Sequence, residues 1–139
     1  MLFPKKVKFR KWQNGRKHVS KRSSGESRGI TVAFGAFGLR AVTQARVQSK
    51  QIEAARKVIT RTVGKTGKVW VRIFPDRPFT AKAAEVPMGK GKGDPQGYMF
   101  EVRPGRVLFE VDGVSETIAR EALRKGGTKL PLVSKFSIR

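Results

Sequence analysis

The chain has 139 residues, and its 31 Lys and Arg against 10 Asp and Glu give a net charge of +21 without a single cysteine. One domain suits this length, and disulfides, thiolate chemistry and cysteine-type zinc sites are excluded. A charge of this size opposes a compact free state through self-repulsion, so the composition calls for a polyanionic partner.

Nucleic acid and anionic membrane are the usual polyanions. No apolar run approaches the roughly 18–20 residues of a spanning helix. The opening Met1-Leu2-Phe3-Pro4-Lys5-Lys6 is basic with no apolar stretch behind it, which is not a secretory signal. Nucleic acid is therefore the expected partner, no membrane role is expected, and the expected compartment is the cytoplasm or an organelle interior.

Residues 1–28 read as a basic tail. Ten Lys and Arg against Glu26 alone give +9, and the apolar residues Val7, Phe9, Trp12 and Val19 are sparse. Such a segment cannot bury enough surface to offset its ordering entropy, so it is expected to be disordered when free and ordered on RNA. Residues 29–139 form the expected single domain. Ile30 to Val42 has strand-forming residues broken by Gly35 and Gly38, which suggests a bulge or a close backbone approach. Ser49 reads as the cap of a helix over Lys50 to Val63. In that helix Ile52, Ala55 and Ile59 share one side, Lys50, Lys57 and Arg61 lie nearly opposite, and Gly64 is the stop.

Lys68 to Phe74 is the clearest strand, ended by Pro75-Asp76-Arg77-Pro78. Residues 79–97 show no periodicity and carry Gly89-Lys90-Gly91-Lys92-Gly93. Tyr98 to Val102 and Val107 to Val111 read as a hairpin around Arg103-Pro104-Gly105-Arg106. Ser115 caps a second helix with Ile118, Ala119, Ala122 and Leu123 on its buried face, Glu116–Arg120 and Glu121–Lys125 as i,i+4 pairs, and Gly126-Gly127 as its end. Leu130 to Ile138 is a last extended segment. The window 94–121 holds six acids against three bases, so the hairpin and the start of the second helix are expected to face away from the polyanion.

Gly64-Lys65-Thr66 imitates the end of a phosphate loop, but Ile59 stands where that motif needs its first glycine, and the order is helix then strand. In the loop 89–93, three glycines allow close backbone approach to a phosphate chain and two lysines supply charge; the competing reading is a solvated linker. The basic stripe of the first helix is a phosphate-contacting face or a solvated one, and the net charge favours the former. Phe9 and Trp12 either stack on bases or anchor the tail to its own domain. His18 has no carboxylate or cysteine partner nearby in sequence, and no metal or cofactor site is expected.

Seven ordered segments carry a family resemblance: Met1-Leu2-Phe3-Pro4-Lys5-Lys6-Val7-Lys8-Phe9-Arg10-Lys11, Phe34-Gly35-Ala36-Phe37-Gly38-Leu39, Gln51-Ile52-Glu53-Ala54-Ala55-Arg56, Lys68-Val69-Trp70-Val71-Arg72-Ile73-Phe74-Pro75-Asp76, Met88-Gly89-Lys90-Gly91-Lys92-Gly93, Pro104-Gly105-Arg106-Val107-Leu108-Phe109-Glu110 with Gly113-Val114-Ser115, and Lys129-Leu130-Pro131. Across nearly its whole length the chain resembles bacterial-type large-subunit ribosomal protein sixteen. The resemblance implies an α+β fold of the hammerhead-like class, a mostly antiparallel sheet packed with two helices, extended by the basic tail and the long Gly-Lys loop. It implies 23S-type rRNA as the main ligand; from their charge and aromatic character, Lys5, Lys6, Lys8, Phe9, Arg10, Lys11, Trp12, Arg16, Lys17, Lys50, Lys57 and Arg61 are the residues expected to contact it. It also implies that Lys82, Met88, Gly89, Lys90, Gly91, Lys92 and Gly93 face the acceptor arms of tRNA near the A and P sites. Neighbouring large-subunit proteins are the further partners, with no homo-oligomer, in a cytoplasmic or organellar ribosome. Pro87 departs from the arginine common in the family before the Met-Gly-Lys-Gly-Lys-Gly run, and Gly126-Gly127 interrupts a segment that is usually alanine-rich.

Two other functions share part of this pattern. A DNA-architectural protein shares the charge but not the long lysine–glycine loop. An enzyme acting on RNA needs a metal cluster, an acid–base pair or a cofactor loop, and no segment supplies one.

Overall fold

The computed structural model describes residues 1–13 and 25–139; Arg16, Lys17 and the expectations placed on 14–24 lie outside them. Among the described residues, seven strands and two helices follow in the order β1 (Phe37–Ala41), β2 (Ala45–Gln48), α1 (Ser49–Val63), β3 (Lys68–Val71), β4 (Arg77–Ala81), β5 (Asp94–Val102), β6 (Val107–Asp112), α2 (Glu116–Gly127) and β7 (Ser134–Ile138). They build two antiparallel sheets, a four-stranded one in the order β3-β6-β1-β7 and a three-stranded one in the order β2-β5-β4. This is the expected α+β class. Among the described residues no helix is long and apolar enough to cross a membrane.

The helices form where the apolar spacing demands them. In α1, Ile52, Ala55, Ile59 and Val63 are buried at i, i+3, i+7 and i+11, and Gly64 ends the helix with φ 78°. Its cap is Gln48, one residue before the expected Ser49. The Gln51 side chain accepts the Gln48 N–H at 2.8 Å, whereas the Ser49 hydroxyl donates to the Leu2 carbonyl at 2.5 Å and ties down the N-terminal segment.

The second helix corrects two expectations. Ile118 is 42% exposed, because the buried stripe runs through Ala119, Ala122, Leu123 and Gly126. Gly126 and Gly127 lie inside the helix, which is capped by Thr128. They mark a close approach: a Cβ on Gly126 would lie 2.5 Å from Ile59 Cγ1, so the glycine lets α2 lie directly on α1. Both helices cover one face of the four-stranded sheet, enclosing Leu39, Ile59, Phe109, Val111, Ala122 and Leu123 in a common core.

The strands differ more. The expected hairpin is a corner between sheets: β5 pairs with β2 and β4, and β6 pairs with β1 and β3. The turn that joins them is held from outside, by the Gly105 N–H on the Ala41 carbonyl and the Glu26 N–H on the Pro104 carbonyl, both at 2.8 Å. β2 and β4 lie in segments with no strand signal. β4 contains Pro78, which lacks a ladder donor, and it accordingly takes an edge position.

Residues 25–36 form a strap across the face of the large sheet that the helices leave open. Val32 is buried over Gly38, where a Cβ would meet Val32 Cγ2 at 2.8 Å, so the close approach suggested by that glycine is real. The Val107 N–H reaches the Gly29 carbonyl at 2.8 Å and continues the attachment.

Candidate nucleic-acid interface

Each basic side chain is placed by the element beneath it. On α1, Lys50, Lys57 and Arg61 are exposed on the side opposite the buried stripe. Between them, Glu53 pairs with Arg56 at 2.6 Å, and the Arg56 hydrogen bond holds the Glu53 carboxyl below its ordinary range and raises Arg56 in turn. That pair neutralises itself and leaves the three flanking cations as the net charge of the face.

The loop 83–93 projects from the end of β4. Gly89, Lys90 and Gly91 follow one another at φ 102°, 52° and 93°, a left-handed run that a β-branched or bulky residue resists. Met88 is 97% exposed at its tip, and Lys90 and Lys92 are exposed beside it. The Lys82 ammonium donates to the Gly89 carbonyl and braces the loop from its base. Lys92 donates to the Trp12 carbonyl, and Lys11 reaches back to the Lys92 carbonyl at 3.4 Å. The tail and the loop, 80 positions apart, therefore meet on one side of the molecule.

Residues 1–13 lie along the domain. Leu2 packs against the core, and Lys5, Lys6, Lys8, Arg10 and Lys11 are exposed. Of the two aromatics whose role the sequence left open, Trp12 lies under the Arg77 guanidinium, 5.6 Å from its ring centre. Phe9 is exposed and touched by Lys8 at 5.5 Å. Arg77 is itself buried and pairs with Glu101, which also pairs with Arg46 at 3.3 Å.

The acidic window 94–121 is not a single outward face. Glu101 is held by those two arginines, and Glu110 is fully buried. Strand alternation turns Phe109 and Val111 toward the helices and Glu110 toward the strap. There its carboxylate accepts the N–H groups of Ala33, Phe34 and Gly35 at 3.1, 2.6 and 2.8 Å and pairs with Arg72. Burial pushes the carboxyl up, but the three N–H donors and Arg72 together outweigh it and hold Glu110 below its ordinary value. Arg40, Arg72 and Arg106 donate to the carbonyls of Ile30, Thr31 and Arg28, so three cations of the basic excess hold the strap in place. Sequence reasoning missed this arrangement. Its one legible sign was a carboxylate in the middle of the apolar run Val107-Leu108-Phe109-Glu110-Val111. Among the described residues no group of three or more His, Cys, Asp and Glu could hold a metal ion.

The geometry offers exposed cations on a helix face, a glycine–lysine loop and a basic N-terminal run, which suit phosphate contacts. Comparison with known proteins places the chain in a family. The family model described as ribosomal protein L16p/L10e matches residues 4–137. The chain is 52% identical over 140 residues to the large ribosomal subunit protein uL16 of Cereibacter sphaeroides, covering 100% of this chain and 98% of the relative. It is 52% identical over 136 residues to the protein of the same name from Chelativorans, covering 98% and 96%.

Proposed function

Because this chain belongs to the ribosomal protein L16p/L10e family, we propose that it is a structural constituent of the large ribosomal subunit in the cytoplasm, not an enzyme, and that it is held there chiefly by phosphate contacts to 23S-type rRNA. The observation that carries the reading is the side-specific charge of α1: its inner face lies wholly in the core, while Lys50, Lys57 and Arg61 are exposed on its outer face in a chain of +21. Residues 1–28 serve as a basic arm beside a single rRNA-binding domain over 29–139. Lys5, Lys6, Lys8, Arg10 and Lys11 add phosphate contacts to those of the helix, Trp12 seats the arm against Arg77, and the exposed Phe9 contacts the rRNA.

The loop 89–93 with Lys82 and Met88 presents its lysines to tRNA acceptor arms near the A and P sites. Its left-handed glycines let the backbone follow a curved phosphate path. Neighbouring large-subunit proteins complete the surroundings.

The test is binding of the full chain to large-subunit rRNA across a salt series. With about eight phosphate contacts, log K should fall with log salt at a slope of roughly −6 to −7. A slope near zero, or equal affinity for duplex DNA at matched salt, would overturn the reading.

A further inference from the structure

The strap holds out an aromatic side chain for which the charge-based reading has no use. Phe34 is 58% exposed, although the backbone that carries it is pinned to β6. Its N–H and those of its two neighbours, Ala33 and Gly35, all donate to the buried carboxylate of Glu110. Gly35 is pressed so close to β6 that a Cβ there would lie 2.6 Å from the Val111 carbonyl oxygen. The ring is thus fixed from behind. It stacks on Trp70, with centroids 6.3 Å apart and planes 20° from parallel, and the Arg72 guanidinium lies 5.0 Å from its centre. Trp70 and Arg72, two residues apart on one extended segment, both meet the Phe34 ring, and more than half of that side chain is still open to solvent.

A hydrophobic cap does not need this construction. Any apolar side chain would shield Trp70, and a floating loop would serve. A rigid, exposed ring, backed by an indole and a guanidinium, has the properties of a platform for another flat π-system. Charge narrows the occupant. Lys68 stands two residues from Trp70 on the same side of β3, Lys135 lies opposite Arg40 on the neighbouring ladder, and Arg28 lies in the first part of the strap, all three exposed. A flat ligand drawn to such surroundings is a base attached to phosphates.

We infer that Phe34 is a stacking platform for an unpaired RNA base. The site lies on the sheet face opposite the helices, so the protein grips RNA on two sides: through phosphates at α1 and through a base at the strap. This rests on the RNA-binding reading and adds to it a contact of a different kind.

The two kinds separate by salt. Stacking releases no counterions, so Phe34→Leu, which keeps an apolar cover over Trp70, should weaken binding to large-subunit rRNA roughly five- to a hundredfold. The slope of log K against log salt should be unchanged. Phe34→Trp should bind at least as well as the parent. Leu and parent binding alike would overturn the platform while leaving the phosphate reading intact; a wild-type chain without salt-dependent binding would instead overturn the phosphate reading. A second measurement does not depend on the variants folding. Ultraviolet crosslinking of the wild-type chain in large subunits should place a nucleotide adduct on the peptide that contains Phe34. Adducts confined to other peptides, such as those with Phe3 or Tyr98 at the open groove beside Lys50, would refute the assignment.

Discussion

Replacing Glu110 by Gln keeps the side chain's shape and removes its charge, so it isolates what the buried carboxylate does. One oxygen accepts the N–H groups of Phe34 and Gly35, and the other accepts the Ala33 N–H and the Arg72 guanidinium. An amide NH2 at either position opposes at least one backbone N–H, and an unsatisfied buried donor costs roughly 1–3 kcal/mol. Arg72, whose side chain is 17% exposed, also loses its partner, and breaking a buried pair costs about 3–5 kcal/mol, less where water reaches one member. Partial solvation of Arg72 and rearrangement of the strap reduce the sum, so a loss of about 3 kcal/mol is expected. For a chain of this size that lowers Tm by about 10 °C. Circular dichroism melting of the free chain at neutral pH measures it.

The acid limb gives a second signature. The folded carboxyl of Glu110 is depressed, so its stabilisation is fully present above the ordinary value of 4.5 and is lost as pH falls through its lowered folded value. The gap between wild type and Glu110→Gln should therefore close on acidification below about pH 4.5. A variant that melts within 2 or so degrees of wild type, or a gap constant to low pH, would refute the role assigned to the carboxylate.

Three further outcomes follow from the same geometry. Substituting Lys50, Lys57 and Arg61 together by Gln should flatten the salt slope of rRNA binding by roughly two units and leave the melting temperature nearly unchanged; an unaltered slope would mean that the stripe is only solvated. Lys90→Ala with Lys92→Ala should leave occupancy of the large subunit near wild type and weaken aminoacyl-tRNA binding; lost occupancy would make the loop an rRNA anchor, because Lys92 also holds the Trp12 carbonyl. Gly35→Ala should cost about 1–3 kcal/mol in urea denaturation, since the new methyl meets a backbone carbonyl that cannot move aside.

The sequence made legible the elements whose signal is local. The apolar spacing of Ile52, Ala55 and Ile59 revealed α1 and, by the same spacing, its exposed cations. The apolar runs of β3 and β6 revealed those strands, and the loop 89–93 was visible from its glycines. What stayed hidden depends on partners far along the chain. β2 is four residues long and has only Val47 buried, so it has no pattern of its own; it exists by pairing with β5. The turn at Pro104-Gly105 suggested a hairpin, but nothing local reveals that its two strands join different sheets. Gly126 looked like a helix stop because its use is steric, against Ile59 in the other helix. The burial of Glu110 stayed hidden because its backbone donors lie in the strap, 77 positions away for Ala33. The same distance concealed Phe34 as a presented ring.

The most direct measurement is sedimentation of the tagged full chain through a sucrose gradient under conditions that separate the ribosomal subunits. The chain should travel with large subunits at about one copy per particle, and it should be released to the top of the gradient by ribonuclease or by high salt, as phosphate contacts require. A chain found free, with small subunits, or still bound to the particle's proteins after the RNA is digested would contradict attachment through large-subunit rRNA.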